Sequence, residues 1–581
     1  MLLLQYQEKL YMEWLQTVSE KSQYNLNQPL IRRDPESRQI AVNFNPQLVS
    51  VLREVKYLGT DEFGNIPETA AAIYSSRESF RQLVANLELM VTWYNKILGT
   101  VLEVEYPLVQ SQLQAIDIQL REAEETLNWK TEGLWDRVSR VVDSVRDLEQ
   151  RIQKTKDNIE EIQNIMKSWV FPVFERKDGK KESLLYLDER HERLDRHYRL
   201  ITDSGHKIHF LIKENLRLFV ADPASDVWNA YLEHVDEMVL DGFFNVIECS
   251  LKYLLENTDP KAGLAPLFKV QLDLSVPEMV FHPSLDAGAS DSFYDLVEAL
   301  VNDIFRVSSL MPRLVDHSAF PHYQADMEEM ADLADMRHTL MDRMQKMISV
   351  CSDYRSSFDH YSYLYVDDKK EFLRQFLLYG HVLTPEEIEL HAENDTPESP
   401  PTLQQFKEQI DSYEKIYMEV SLLEPVRIFD SWMNVDARPF KASLLGIIKK
   451  WSFMLKQHLI DHVTHSLADL EEFIKVAERG LSKEAEKGDY EALVEIMGHL
   501  LAVKDRQTST DEMFEPLKQT IELLKVYEQE LPLEAYRQLE QQKHEHFLGF
   551  ESCQTLGRRR PACAEQCTGI VSQPHILTSG M

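Results

Sequence analysis

Three histidines, His458, His462 and His465, with Asp461 beside them, form the best-spaced group for metal chemistry in this sequence. Positions i, i+4 and i+7 share one helix face, so three imidazoles could converge on a zinc ion. Zinc sites usually draw ligands from more than one element, however, and these residues read better as structural or solvent-facing histidines. His191-Glu192-Arg193-Leu194-Asp195 begins like the helix of a zinc protease, but Asp195 stands where the second histidine is required. That segment reads as a charged, solvated face. Gly59 and Gly64 have the spacing of a phosphate-binding loop, yet Asn65 and Ile66 replace the Lys and Ser/Thr. Without the lysine, the phosphates lose their main cation. Cys553, Cys563 and Cys567 include one C-x3-C pair, with no companion cluster at zinc spacing. No serine or cysteine sits in a nucleophile-elbow context. The residues therefore nominate no catalytic, cofactor-binding or metal site, and no cofactor.

The elements that would position such groups are helices. The chain has 581 residues, a formal net charge of −34 and only 18 glycines. Few glycines and many charges suit long helices better than strands joined by tight turns. The acidity argues against nucleic acid as a partner, because phosphate neutralisation needs Lys and Arg. With 43% hydrophobic and 10% aromatic residues, the chain can build a large core. No apolar run approaches 18 residues, so neither a transmembrane helix nor a membrane partner is expected. The N-terminus lacks a secretory signal pattern, and five cysteines make no disulfide framework.

The strongest periodicity runs from Leu134 to Trp169: Leu134, Val138, Val141, Val145, Leu148, Ile152, Ile159, Ile162, Met166 and Trp169, broken only at Thr155. This is a heptad stripe. It could pair two chains as a coiled coil or pack on helices of its own chain, and the amphipathic surroundings favour the second. Leu113, Ile116, Leu120, Ala123 and Leu127 form a precursor stripe, with Pro107 at its start and a kink or packing change near Gly133. Pro172 would end the region. Further helices are expected over 184–219, 226–257, 292–310, 327–357, 403–429, 440–477, 490–504 and 514–527, with Asp226 and Thr402 as N-caps. Strict alternation in Phe268–Leu274, followed by Glu278–Phe281, predicts a β-hairpin, and Gln39–Phe44 a weaker strand.

The breaks divide the chain into 1–106, a helical segment; 107–176, the long heptad region; 177–262, a helical bundle; and 263–290, the hairpin insertion. A second bundle over 291–392, an acidic, proline-rich linker over 393–401 and a third bundle over 402–540 follow. Residues 541–581 hold three of the five cysteines, lack periodicity and read as a disordered tail. The fold class expected is all-α, an elongated stack of helical bundles with long coiled-coil-like helices and one inserted β-hairpin.

Several stretches resemble the stem (tail) of dynein heavy chains. They are Tyr11 and Trp14, Ile40-Ala41-Val42-Asn43-Phe44, Leu52-Arg53-Glu54-Val55, and Phe281-His282-Pro283-Ser284-Leu285. Trp432, Val435-Asp436-Ala437-Arg438-Pro439-Phe440-Lys441 and Lys450-Trp451 complete the series. The chain is most similar to the axonemal outer-arm β-type over roughly residues 1–540. The resemblance implies a non-catalytic scaffold that binds dynein intermediate chains, light chains and other heavy chains. It also implies an indirect association with axonemal microtubules in the cilium, while the ATPase ring of the family lies far C-terminal. It further implies that the chain begins inside the stem and leaves the family pattern after Glu540, before the linker. The alternative, from another class, is an independent coiled-coil dimer; a hydrolase using the 458–465 histidines is a third.

Overall fold

The computed structural model describes residues 2–60, 66–176, 187–286, 288–289, 291–316, 320–383, 387, 399–483, 490–529 and 537. They fall into two compact units. The first comprises Met1–Phe268, Asp291–Lys346 and Asp430–Trp432, and the second Lys269–Ser290, Met347–Phe429 and Met433–Met581. Both are built mainly from helices.

The first unit opens with α1 (Leu2–Leu26), a short antiparallel pair β1 (Ile31–Arg33) and β2 (Ile40–Val42), α2 (Pro46–Thr60), α3 (Glu68–Ser75) and α4 (Arg77–Thr100). Next come α5 (Tyr106–Glu125), α6 (Leu134–Ser168), α7 (Leu187–Phe219), α8 (Asp226–Asn257), α9 (Phe293–Phe305) and α10 (Gln324–Glu329). The unit ends in α11 (Ala331–Ser356), whose residues through Lys346 belong to it. The weak strand expected near Gln39 is β2, held by β1.

The heptad stripe lies on α6 and is buried within its own chain, against α4, α7 and α8. The packing differs from the sequence in two places. Val142 is a core residue where Val141 was expected, a local shift of one position between Val138 and Val145, which are both buried. Thr155, the apparent break, is buried with the rest; its hydroxyl donates to the Ile152 carbonyl at 2.7 Å, so its polarity is satisfied inside the helix. Three residues on, Asn158 is also buried and donates to Glu214 and to Asn215, which donates to Tyr231. The precursor stripe and α6 are separate helices, with Gly133 at φ 69° between them. A left-handed residue there costs glycine nothing. Ser225, rather than Asp226, caps α8, accepting from the Trp228 amide; Asp226 occupies the first turn, where its charge suits the helix dipole.

In the second unit, the expected hairpin is present as β3 (Phe268–Ser275) and β4 (Glu278–His282), with Leu272 opposite Phe281. It does not stand alone. Val426–Phe429, expected to continue a helix, is β5, and with β6 (Met433–Asp436) it completes a four-stranded sheet in the order β4-β3-β6-β5. Lys269 on β3 pairs with Asp436 on β6 at 3.1 Å. The helices are α12 (Tyr363–Val366), α13 (Lys369–Tyr379), α14 (Leu403–Leu422), α15 (Arg438–Leu481) and α16 (Tyr490–Val526). Thr402 caps α14 in a reciprocal capping box with Gln405. The two helices expected over 490–504 and 514–527 are one continuous α16. Its polar middle carries buried Thr510, whose hydroxyl donates to the Arg506 carbonyl. Trp451 on α15 centres this unit: its indole donates to the Leu364 carbonyl at 2.6 Å, Phe372 meets its edge and Tyr413 stacks on it.

Candidate interaction surfaces

The histidine group on α15 does not converge. His458 is half-buried and stacked on Phe406, with centroids 5.8 Å apart and an interplanar angle of 8°. Burial, and then the neighbouring His462, disfavour its charged form. His462 and His465 are exposed, and the His465 Nδ1 lies 2.7 Å from the Asp461 carbonyl. Among the described residues, no three His, Cys, Asp or Glu side chains gather where a metal ion could be held. In the zinc-protease-like stretch, Asp195 is exposed and forms a loose i,i+4 pair with Arg199 at 3.7 Å, while the His191 side chain lies outside the described residues. Residues 61–65 of the glycine loop, most of the acidic linker and all of 541–581 with its cysteines also lie outside them.

What the first unit offers instead is an apolar helix face. Leu2, Leu3, Leu4, Tyr6, Leu10 and Met12 of α1 are all exposed, Leu3 at 83%. Leu3, Tyr6 and Leu10 step by three and four residues, so they share a face. The same helix is anchored lower down: Val18 is buried with Val55 and Ala70, and Trp14, Val51 and Tyr74 pack against them. The Trp14 indole donates to Glu54 at 2.8 Å, and Tyr11 stacks on Trp14. Leu10, Trp14, Val18, Leu48 and Val51 line a groove of about 370 Å³ between α1 and α2. A helix already formed and packed at Trp14 and Val18, with an apolar face beyond, can receive another helix without having to fold first.

Elsewhere in the same unit a polar cluster fixes the small sheet. Arg33 of β1 binds Glu124 at 2.7 Å, Asp117 at 3.2 Å and the Tyr94 hydroxyl at 3.1 Å. Burial and the Asp117 bond push the Tyr94 hydroxyl up to about 12. Burial opposes the Arg33 charge, but the bonds to Tyr94 and Glu124 outweigh it, so this guanidinium stays charged. The small sheet is thereby clamped onto α4 and α5. The apolar α1 face went unnoticed in the sequence because Leu2 to Leu4 read only as a failed signal peptide.

The second unit has a comparable stripe. Tyr490, Val494, Met497 and Leu501 on α16 are 58–69% exposed and step by four, three and four. Among the described residues, no helix is long and apolar enough to cross a membrane.

Both units are helical and leave apolar helix faces exposed, and among the described residues no group of metal-binding side chains converges. Residues 1–136 match the family model described as "Dynein heavy chain, N-terminal region 1". The chain is 63% identical over 540 residues to human "Dynein axonemal heavy chain 9", covering 93% of this chain and 12% of that protein. It is 58% identical over 541 residues to the sea urchin (Heliocidaris crassispina) "Dynein beta chain, ciliary", with the same coverage, and 27% identical to the Chlamydomonas reinhardtii "Dynein beta chain, flagellar outer arm". This chain belongs to the dynein heavy chains of axonemal type and corresponds to their N-terminal region. It spans about an eighth of the length of these relatives.

Proposed function

We propose that the chain is a non-catalytic scaffold portion of an axonemal dynein heavy-chain stem. In this reading it binds dynein intermediate and light chains and other heavy chains. It thereby helps to anchor the motor complex for microtubule-based ciliary movement. The observation that carries the reading is the 63% identity to an axonemal heavy chain over 540 residues. The apolar α1 face supports it as a surface that another helix could cover. The net charge of −34 fits attachment through adaptor subunits, since an acidic body gains nothing electrostatically from an acidic filament surface. The competing coiled-coil dimer is disfavoured because the α6 stripe already packs within its own unit.

The test is co-purification of the tagged full chain from ciliated cells, probed by immunoblot for dynein intermediate chains. Recovery is expected, and it should fall several-fold in a Leu3→Glu/Leu10→Glu variant, because a buried charge at each site opposes docking. Absence of every dynein subunit from the purified material would overturn the proposal.

A further inference from the structure

Lys449 and Lys450 are unusual in so acidic a chain. They are adjacent and exposed in the first third of α15, and no salt bridge to either is found among the described residues, although the Lys449 charge acts on Glu414. Lys449 instead lies over the Tyr417 ring, 5.1 Å from its centroid. Lys369, 5.8 Å from the Trp451 ring, is a third cation, its charged form disfavoured by burial and then by Lys450.

These lysines border a cleft of about 580 Å³ between α14, α15 and the end of α16. Its walls are aromatic: Tyr413, Tyr417, Phe453 and Tyr527, with Phe453 55% exposed. Its floor is electrically settled. The buried Lys456 ammonium binds Glu414 at 2.8 Å and faces the Tyr527 ring at 4.9 Å; Glu414 also accepts from Ser452 at 2.9 Å. The Tyr527 hydroxyl donates to Asp411 at 2.5 Å. Glu414 and Asp411 are thus engaged below, and Glu528 is the one further acid lining the cleft. Lys450, and Lys449 beyond its share in holding Glu414, leave positive charge at the rim over an aromatic wall.

That combination selects its occupant. A small anion would leave the aromatic walls uncovered. A nucleic acid or an anionic membrane would bring extended negative charge against a chain of −34. An acidic segment bearing an apolar anchor fits both features, with carboxylates on Lys449 and Lys450 and the anchor against Phe453 and Tyr417. We propose that this cleft docks an acidic amphipathic peptide segment of a partner protein, held by Lys449 and Lys450 at the rim and Phe453 at the wall. This holds whether or not the partner is a dynein subunit.

The probe is a fluorescein-labelled helical peptide of glutamate pairs separated by single leucine or phenylalanine residues, titrated with the full-length chain by anisotropy. Saturable binding that weakens with added salt is expected. Lys449→Glu/Lys450→Glu should weaken it by about tenfold or more, and Phe453→Ala by a smaller factor. Lys475→Glu, an exposed site elsewhere on α15, should leave it unchanged. All four positions are exposed, and circular dichroism of each variant checks that the fold persists. No saturable binding by the wild type, equal loss in the Lys475→Glu control, or tighter binding of a single-stranded oligonucleotide or anionic vesicles than of the peptide would each overturn the proposal.

Discussion

Asp236 provides the sharpest test of how the first unit holds residues 310–316 and 320–323. It lies on α8, 4% exposed, and accepts three hydrogen bonds: from the Leu314 amide at 3.1 Å, the Val315 amide at 3.3 Å and the Tyr323 hydroxyl at 2.5 Å. Tyr323 is fully buried beside Phe243, and burial, reinforced by the Asp236 charge, pushes its hydroxyl well above the usual tyrosine range. Asp236→Ala strands three buried donors at once. At about 1–3 kcal/mol for each unsatisfied group, less some recovery through water entering the space, the cost should be about 3–5 kcal/mol. Tyr323→Phe removes one donor and leaves the carboxylate two amides, so it should cost about 1 kcal/mol. In the double variant the hydroxyl is no longer stranded, and the total should fall short of the sum by about 1 kcal/mol. The readout is native-state hydrogen exchange at the Leu314 and Val315 amides by mass spectrometry. There Asp236→Ala should accelerate exchange on the order of a hundredfold to a thousandfold. A loss below about 1 kcal/mol, or strict additivity in the cycle, would refute the view that this carboxylate pins the segment.

The remaining expectations concern packing, acid stability and metal binding. A Cβ at Gly242 would lie 2.5 Å from the Met166 sulfur and 3.3 Å from the Trp169 ring, whereas Gly446 has open space around it. Thermal unfolding should show Gly242→Ala destabilising by about 1–2 kcal/mol and Gly446→Ala stabilising by up to about 1 kcal/mol; matching signs would contradict the packing. The Asp436 carboxyl is held well below the usual range, chiefly by Arg438 and then, against the cost of burial, by Lys269. A depressed folded value means that its contribution is present above the unfolded value near 4 and is lost as pH falls through the folded value. Asp436→Asn should therefore flatten the loss of stability below about pH 4 in urea titrations, and an unchanged acid limb would count against the bridge. Because His458 packs on Phe406 while His462 and His465 face solvent, added zinc should not raise the melting temperature. His462→Ala should behave as the wild type does; a zinc-dependent shift abolished by His462→Ala would restore the metal reading.

Local patterns carried much of this protein's organisation. The bounds of α8, the Thr402 cap, the β3–β4 hairpin and the α6 stripe were legible because helix and strand periods and cap chemistry are properties of neighbouring residues. The ordered series of motifs likewise pointed to the dynein heavy-chain stem. Tertiary structure decided what those patterns could not. It buried Thr155 within an apolar seam, because its hydroxyl finds an acceptor one turn back. It turned Val426–Phe429 from an apparent helix end into a strand, because β6 offered a ladder and β3 extended the sheet. It set Lys449 beside Tyr417 and Lys456 beside Glu414 and Tyr527, uniting residues more than a hundred positions apart in one cleft. The sequence alone showed that the chain was helical and where its strongest apolar stripes, such as that of α6, ran. Which apolar faces stayed open, and which charges stayed unmatched, depended on where distant helices came to rest, since burial and pairing are relations between segments that no single segment encodes.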